Sequence, residues 1–185
     1  MGCSTYMKNI AAITLTLITF AAKAQTQPLQ TVDKVELDRY AGKWFEIASF
    51  PASFQKNCTC TTAEYTVMPK GYVKVVNKCN KKSPEGRLAV AKGKAYVVDT
   101  NSNAKLKVSF FWPFYGDYNI IELAPDYSYA VVGTVSRQYL WILSRSPVMA
   151  ANMYTELTER AKAQGFDITK LQRTIQKDNC DKPTQ

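Results

Sequence analysis

Five cysteines and no histidine set the chemistry open to this 185-residue chain. Without an imidazole there is no Ser-His-Asp or Cys-His nucleophilic triad, no His-rich zinc site and no His-ligated haem. Carboxylate chemistry, thiol chemistry and binding remain. Cys58, Cys60, Cys79 and Cys180 suit disulfides better than zinc, because one residue separates the first two and the others lie far away. Four such cysteines allow three pairings. None forms a Cys-x-x-Cys, so they are expected to be structural and not redox-active. Glu46, two residues after Trp44, is a candidate inward-facing acid or base. Its blander reading is a buried carboxylate paired with an arginine, and that reading is preferred. No metal site, no cofactor motif and no glycine-rich phosphate loop is present in the sequence.

The elements that must position these residues begin after an N-terminal leader. Lys8, an apolar run from Ile10 to Phe20 and the small-x-small Ala22-Lys23-Ala24 have the anatomy of a secretory signal peptide spanning 1–24, with Met7 an alternative start. A membrane anchor is the competing reading, but the run is short and threonine-rich. Two lipid anchors fail on spacing. A bacterial lipoprotein needs its cysteine directly after the apolar run, whereas Cys3 precedes it, and Tyr6 stands where myristoylation wants Ser or Thr. The mature chain is expected to be periplasmic or secreted, or associated with the outer membrane without a lipid anchor. Cleavage removes Lys8 and Lys23 and lowers the net charge from +9 to +7. That excess reads as a solvated basic surface, or as peripheral attraction to an anionic membrane. Nucleic acid is disfavoured, since no basic helix or zinc pattern is present.

Residues 25–35 read as a flexible leader. Eight short apolar or alternating runs follow: 44–50, 60–68, 72–77, 88–98, 106–111, 118–123, 128–135 and 139–144. Hairpin-length links join them, which describes an antiparallel meander. Period two is clearest where Lys105 and Lys107 alternate with Leu106, Val108 and Phe110. Ala91, Gly93, Ala95 and Val97 make a second inward face, unusually small, that would leave volume unfilled. Ser146 as cap and Pro147 as first residue open a helix of about four to five turns. Its stripe is Ala150, Tyr154, Leu157 and Ala161, and Gly165 ends it. Leu171 to Gln176 is expected to add a short strand. Eight strands closed on themselves remove both sheet edges and enclose one small-ligand cavity. The expected fold is all-β: an eight-stranded antiparallel up-and-down β-barrel with one C-terminal flanking α-helix, a half-open sandwich being second.

From Asp38 to Ala48 the run DRYAGKWFEIA resembles the first lipocalin motif, G-x-W, here Gly42-Lys43-Trp44. Pro125-Asp126-Tyr127 resembles the second motif, with proline in place of the usual threonine. Leu140 to Arg145 resembles the third. The run KVSFFWPFYGDYN, beginning at Lys107, is similar to bacterial lipocalins of the outer membrane. Cys60 to Tyr65 and Asn179-Cys180 resemble the apolipoprotein D group. The likeness covers a lipocalin domain over 36–182. It implies a short 3₁₀ turn before the first strand, and Trp44 at the closed end of the barrel with Arg145 stacked over it. It implies that Asp126 and Tyr127 fix a turn at the same end. It also implies a Cys60–Cys180 bridge, and with it Cys58–Cys79, whose positions nearly face each other across a hairpin turning at Pro69 to Gly71.

The resemblance places Tyr65, Asn77 and Trp141 against a ligand, and period two extends each strand's face. Val75 then joins Asn77, and Tyr139 joins Trp141, with Ala63, Val67, Val73 and Leu143 on the same faces. Val108 and Phe110 form the next wall. Phe111, Trp112, Phe114 and Tyr115 form a rim. The implied function is storage or transport of a small hydrophobic ligand, a fatty acid or lysophospholipid first, with bile pigments, retinoids and sterols also admitted. No enzyme activity is expected, and the protein should be a monomer or weak dimer. The alternatives are a secreted interaction module acting through the aromatic rim, and a lipocalin-fold enzyme using Glu46.

Overall fold

A computed structural model describes residue 1, residues 27–177 and residue 180. The expected leader and its cleavage site lie outside the described residues. Eight strands run in chain order around a closed antiparallel barrel: β1 (Gly42–Ser49), β2 (Cys58–Met68), β3 (Tyr72–Lys81), β4 (Leu88–Val97), β5 (Lys105–Phe111), β6 (Phe114–Leu123), β7 (Tyr129–Gly133) and β8 (Leu140–Ser144). Pairing of β1 with both β8 and β2 closes the ring. A single α-helical turn, α1 (Leu37–Tyr40), stands where the resemblance implied a 3₁₀ turn. The two-residue strand β9 (Gln172–Arg173) adds to the far end of β1.

Alternation divides the side chains between two cores. The inner one gathers Trp44, Tyr65, Val73, Val75, Ala95, Leu106, Ile120 and Leu143 inside the barrel. The outer one lies between the sheet and helix α2 (Ala151–Ala163), where Ile47, Val131, Leu140 and Ile142 meet Leu157, Ala161 and Phe166. Arg160 ties the helix to β6 through Glu122.

Three elements differ most from the sequence reading, and β3 is one, running four residues past the expected Asn77 to Lys81. Helix α2 starts at Ala151, not at Ser146-Pro147, and Ala150 is exposed and outside its stripe. Ser146 does accept an N–H from Val148, but the chain continues extended so that Met149 can enter the outer core. Strand β6 begins at Phe114, four residues before the expected Tyr118. Pro113 and Gly116 read as a link, yet the pairs Phe111–Phe114, Val108–Gly116 and Lys107–Asp117 prolong the ladder. The hairpin therefore turns only at Trp112-Pro113.

Bulges shape the wall beside the β1–β2 seam. One lies in β1 between Glu46 and Ala48, another in β2 between Thr59 and Thr62, where Cys60 has φ 52°. They let β2 swing away from β1, and residues 172–176 fill the gap through Thr174 N–H to Ile47 O and Cys60 N–H to Ile175 O. Disulfides Cys58–Cys79 and Cys60–Cys180 pin this region, the second joining β2 to the C-terminal tail.

Candidate functional site

One end of the barrel is sealed. Trp44 is fully buried there, its indole N–H donating to Tyr40 O at 2.8 Å. Arg145 lies 3.9 Å above the indole and donates to the carbonyls of Arg39, Tyr40, Ala41, Lys43 and Tyr127. A planar fork of five donors is suited to gathering such a set, which a lysine could not. Gly42, at φ +91°, lets the chain turn into β1 with Arg145 Nη1 only 3.4 Å from where a Cβ would stand. Tyr127 caps the corner: its hydroxyl accepts from Glu36 N–H, and Arg39 stacks on its ring. Asp126 accepts from Ser128 N–H and so closes the turn.

Above this floor the interior is packed. Tyr118 shares hydrogen bonds with Tyr40 (2.7 Å) and Tyr65 (2.8 Å). Burial pushes the Tyr65 phenol up to about 12 and raises Tyr40 and Tyr118 as well. All three are therefore neutral hydrogen-bonding groups at any physiological pH. The void left among Tyr40, Tyr65, Ala95, Leu106, Val108 and Tyr118 is about 10 Å³, room for one water.

The mouth-side half is open. Ala63, Asn77, Ala91, Gly93, Val108, Tyr139 and Trp141 face inward by register, yet all keep some solvent exposure. A Cβ built on Gly116, opposite inward-facing Val108, meets nothing within 4 Å. Phe110 lies over Gly93, where a Cβ would come within 2.8 Å of its ring.

A polar network lines the β1 side of this space. Glu46 is 5% exposed and accepts from Ser49 (3.2 Å), Gln55 (2.5 Å) and Thr174 (2.6 Å). Burial raises its pKa, and those three hydrogen bonds oppose the rise. Gln55 belongs to the 50–57 segment that folds over the mouth, and its carbonyl oxygen accepts from the Trp141 indole. Phe54 of the same segment packs on Tyr139, which stacks on Trp141. Between this segment and residues 172–174, apart from the inward faces of the other strands, a cleft of about 510 Å³ reaches Glu46 and Ser49. Gln176 donates to the carbonyls of Glu46 and Thr61. Thr61 Oγ1, Asn77 Oδ1 and Gln176 Oε1 are buried without a hydrogen-bond partner. Leaving such buried oxygens unpaired is costly.

The family model for the lipocalin-like domain matches residues 35–176 of the chain. The chain belongs to the lipocalin family. It is 40% identical over 163 residues to temperature-induced lipocalin-1 of Arabidopsis thaliana, covering 83% of this chain and 86% of that one. It is 38% identical over 165 residues to the outer membrane lipoprotein Blc of Citrobacter freundii, covering 88% and 92%. Likeness to mouse apolipoprotein D is 34% over 166 residues, covering 85% and 84%.

In this lipocalin the expected ligand residues divide by depth. Asn77, Val108, Tyr139 and Trp141 surround the open half, and Phe110 stands at its lip, 45% exposed. Tyr65 and Val75 lie in the packed half, with Tyr65 held by Tyr118. Glu46 is buried as the blander reading required, but its partners are two hydroxyls and an amide in place of an arginine. Gln55, Thr61, Thr174 and Gln176 carry no sequence signal of their own. The bulges and the tail crossing that bring them together are long-range features. Gly116 did leave a signal, as a glycine inside a β-rich run.

Proposed function

We propose that this lipocalin binds and carries a single-chain lipid in the cell envelope or the secreted medium, a lysophospholipid in preference to a fatty acid. The observation behind this reading is the contrast between a sealed, packed floor and an upper half whose inward residues are small at Ala63 and Ala91 and without a side chain at Gly116. An acyl chain lying against Val108, Phe110, Tyr139 and Trp141 would gain about 0.8 kcal/mol for each CH₂ removed from water. That gain does not discriminate among lipids, so the head must.

The amide oxygens of Asn77 and Gln176 lie in the wall without a donor, and the Thr61 hydroxyl there lacks a partner. A glycerol hydroxyl can donate to them, whereas an ionised fatty acid has no donor to offer. Export fits the two disulfides, which persist in oxidising compartments. No helix among the described residues is long and apolar enough to cross a membrane. Lipocalins generally bind and carry their ligands. Glu46, already accepting three hydrogen bonds, is here a fixture of the wall and not a catalytic base.

Titration of the purified protein with palmitoyl-lysophosphatidylglycerol and with palmitate, read by tryptophan fluorescence, tests the reading. The lysophospholipid should bind at least ten-fold tighter than palmitate, and Gly116→Phe should abolish both by filling the open half. Equal affinities would reject the head-group assignment. Full binding by Gly116→Phe would reject the site.

A further inference from the structure

The hairpin between β5 and β6 ends in five large aromatics within six residues. Phe110, Phe111, Trp112, Phe114 and Tyr115 are 45%, 75%, 77%, 71% and 49% exposed. Phe111 and Phe114 stack on one another and, among the described residues, on no other ring. Soluble surfaces rarely show so contiguous an apolar patch without a use for it. The tip lies at the open end of the barrel, and the rest of that end is also apolar in places, through Phe54, Leu88 and Val135.

Charge is distributed unevenly along the barrel axis. The mouth-side segments 50–58, 77–92, 108–117 and 133–139 carry Lys56, Lys78, Lys81, Lys82, Arg87, Lys92 and Arg137 against only Glu85 and Asp117. None of those seven cations forms an ion pair among the described residues, and Glu85 is engaged by Lys177. The sealed end, by contrast, mixes Asp33, Glu36, Asp38, Asp99 and Asp126 with Lys34, Arg39, Lys43, Lys70, Lys105 and Arg145. An aromatic wedge inside an uncompensated basic collar matches the boundary of an anionic bilayer. Trp, Tyr and Phe settle at the headgroup level there, and Lys and Arg reach the phosphates. A protein partner is the poorer fit, because lysine is depleted from such interfaces.

We propose that the mouth of the barrel docks on anionic lipid bilayers, the Phe110–Tyr115 tip entering the headgroup layer and the basic collar lying on its surface. Docking by this face points the open half of the barrel at the membrane. It depends on the tip and the collar alone, and stands whether or not the barrel carries a lipid.

Co-sedimentation of the disulfide-intact protein with vesicles of phosphatidylcholine alone, or with phosphatidylglycerol at about a third of the lipid, reads this directly. Binding should be at least ten-fold stronger to the anionic vesicles and should weaken in about 0.5 M salt, where screening is nearly complete at contact distances. Trp112 emission should shift to the blue. Phe111→Ser/Trp112→Ser/Phe114→Ser should lose at least ten-fold in binding with an unchanged thermal midpoint, since these side chains are exposed. Lys82→Glu/Arg87→Glu should lose the anionic preference while keeping the fold. Equal binding of the triple variant and the parent would overturn the proposal, as would equal binding to both vesicles. So would a parent that ignores vesicles and self-associates through the tip.

Discussion

A carboxyl group 5% exposed, given three hydrogen-bond donors and no cation, must titrate differently from one in water. Burial raises Glu46 above the ordinary 4.5, so the folded chain holds its proton at pH values where the unfolded chain has released it. Stability from this group is complete below about 4.5 and is lost as pH rises through the raised value. Glu46→Gln fixes the neutral form. Its melting temperature should therefore gain on the parent by a few degrees between pH 4.5 and neutrality. Parallel melting profiles against pH would show that Glu46 is not held this way. At the other end of the barrel, Arg145 and Trp44 form a contact that was legible only through the family resemblance of G-x-W and the third motif. Gln55, Thr174 and Gln176 were not legible, since nothing near them in sequence announces a partner on β1.

Strands could be read wherever one face is wet, as in Lys105 to Phe110, because alternation then records the two environments directly. The method failed where glycine and proline sit inside a paired strand. Phe114 to Asp117 belongs to β6 because its backbone continues a ladder with β5, a fact that Pro113 and Gly116 conceal. Likewise Ser146-Pro147 carries a proper helix-start signal, but burial of Met149 delays the helix to Ala151. The tail crossing is the element with most at stake. Residues 172–176 stand in for β2 beside β1, and the Cys60–Cys180 bridge fastens the tail just beyond them. Replacing both cysteines by serine should cost about 2–4 kcal/mol. It should also speed amide exchange at Thr174, whose N–H donates to Ile47 O. Exchange there at the parent rate would mean that the strand pairing alone retains the tail.

For the whole molecule, fold and polarity act together. A barrel sealed by Arg145 over Trp44 has one way in, and that opening carries the aromatic tip, the basic collar and the 50–57 segment latched by Gln55 to Glu46 and Trp141. The open half needed no large residue to be removed, only small ones to face inward at Ala91 and Gly116. The central claim is that this half holds one lipid. Native mass spectrometry of the protein, purified from its own host without detergent, tests it most directly. The account predicts a single adduct with the mass of a lysophospholipid, released by organic solvent, regained on adding that lipid, and missing from Gly116→Phe. A bare polypeptide mass that takes up no offered lipid would contradict it.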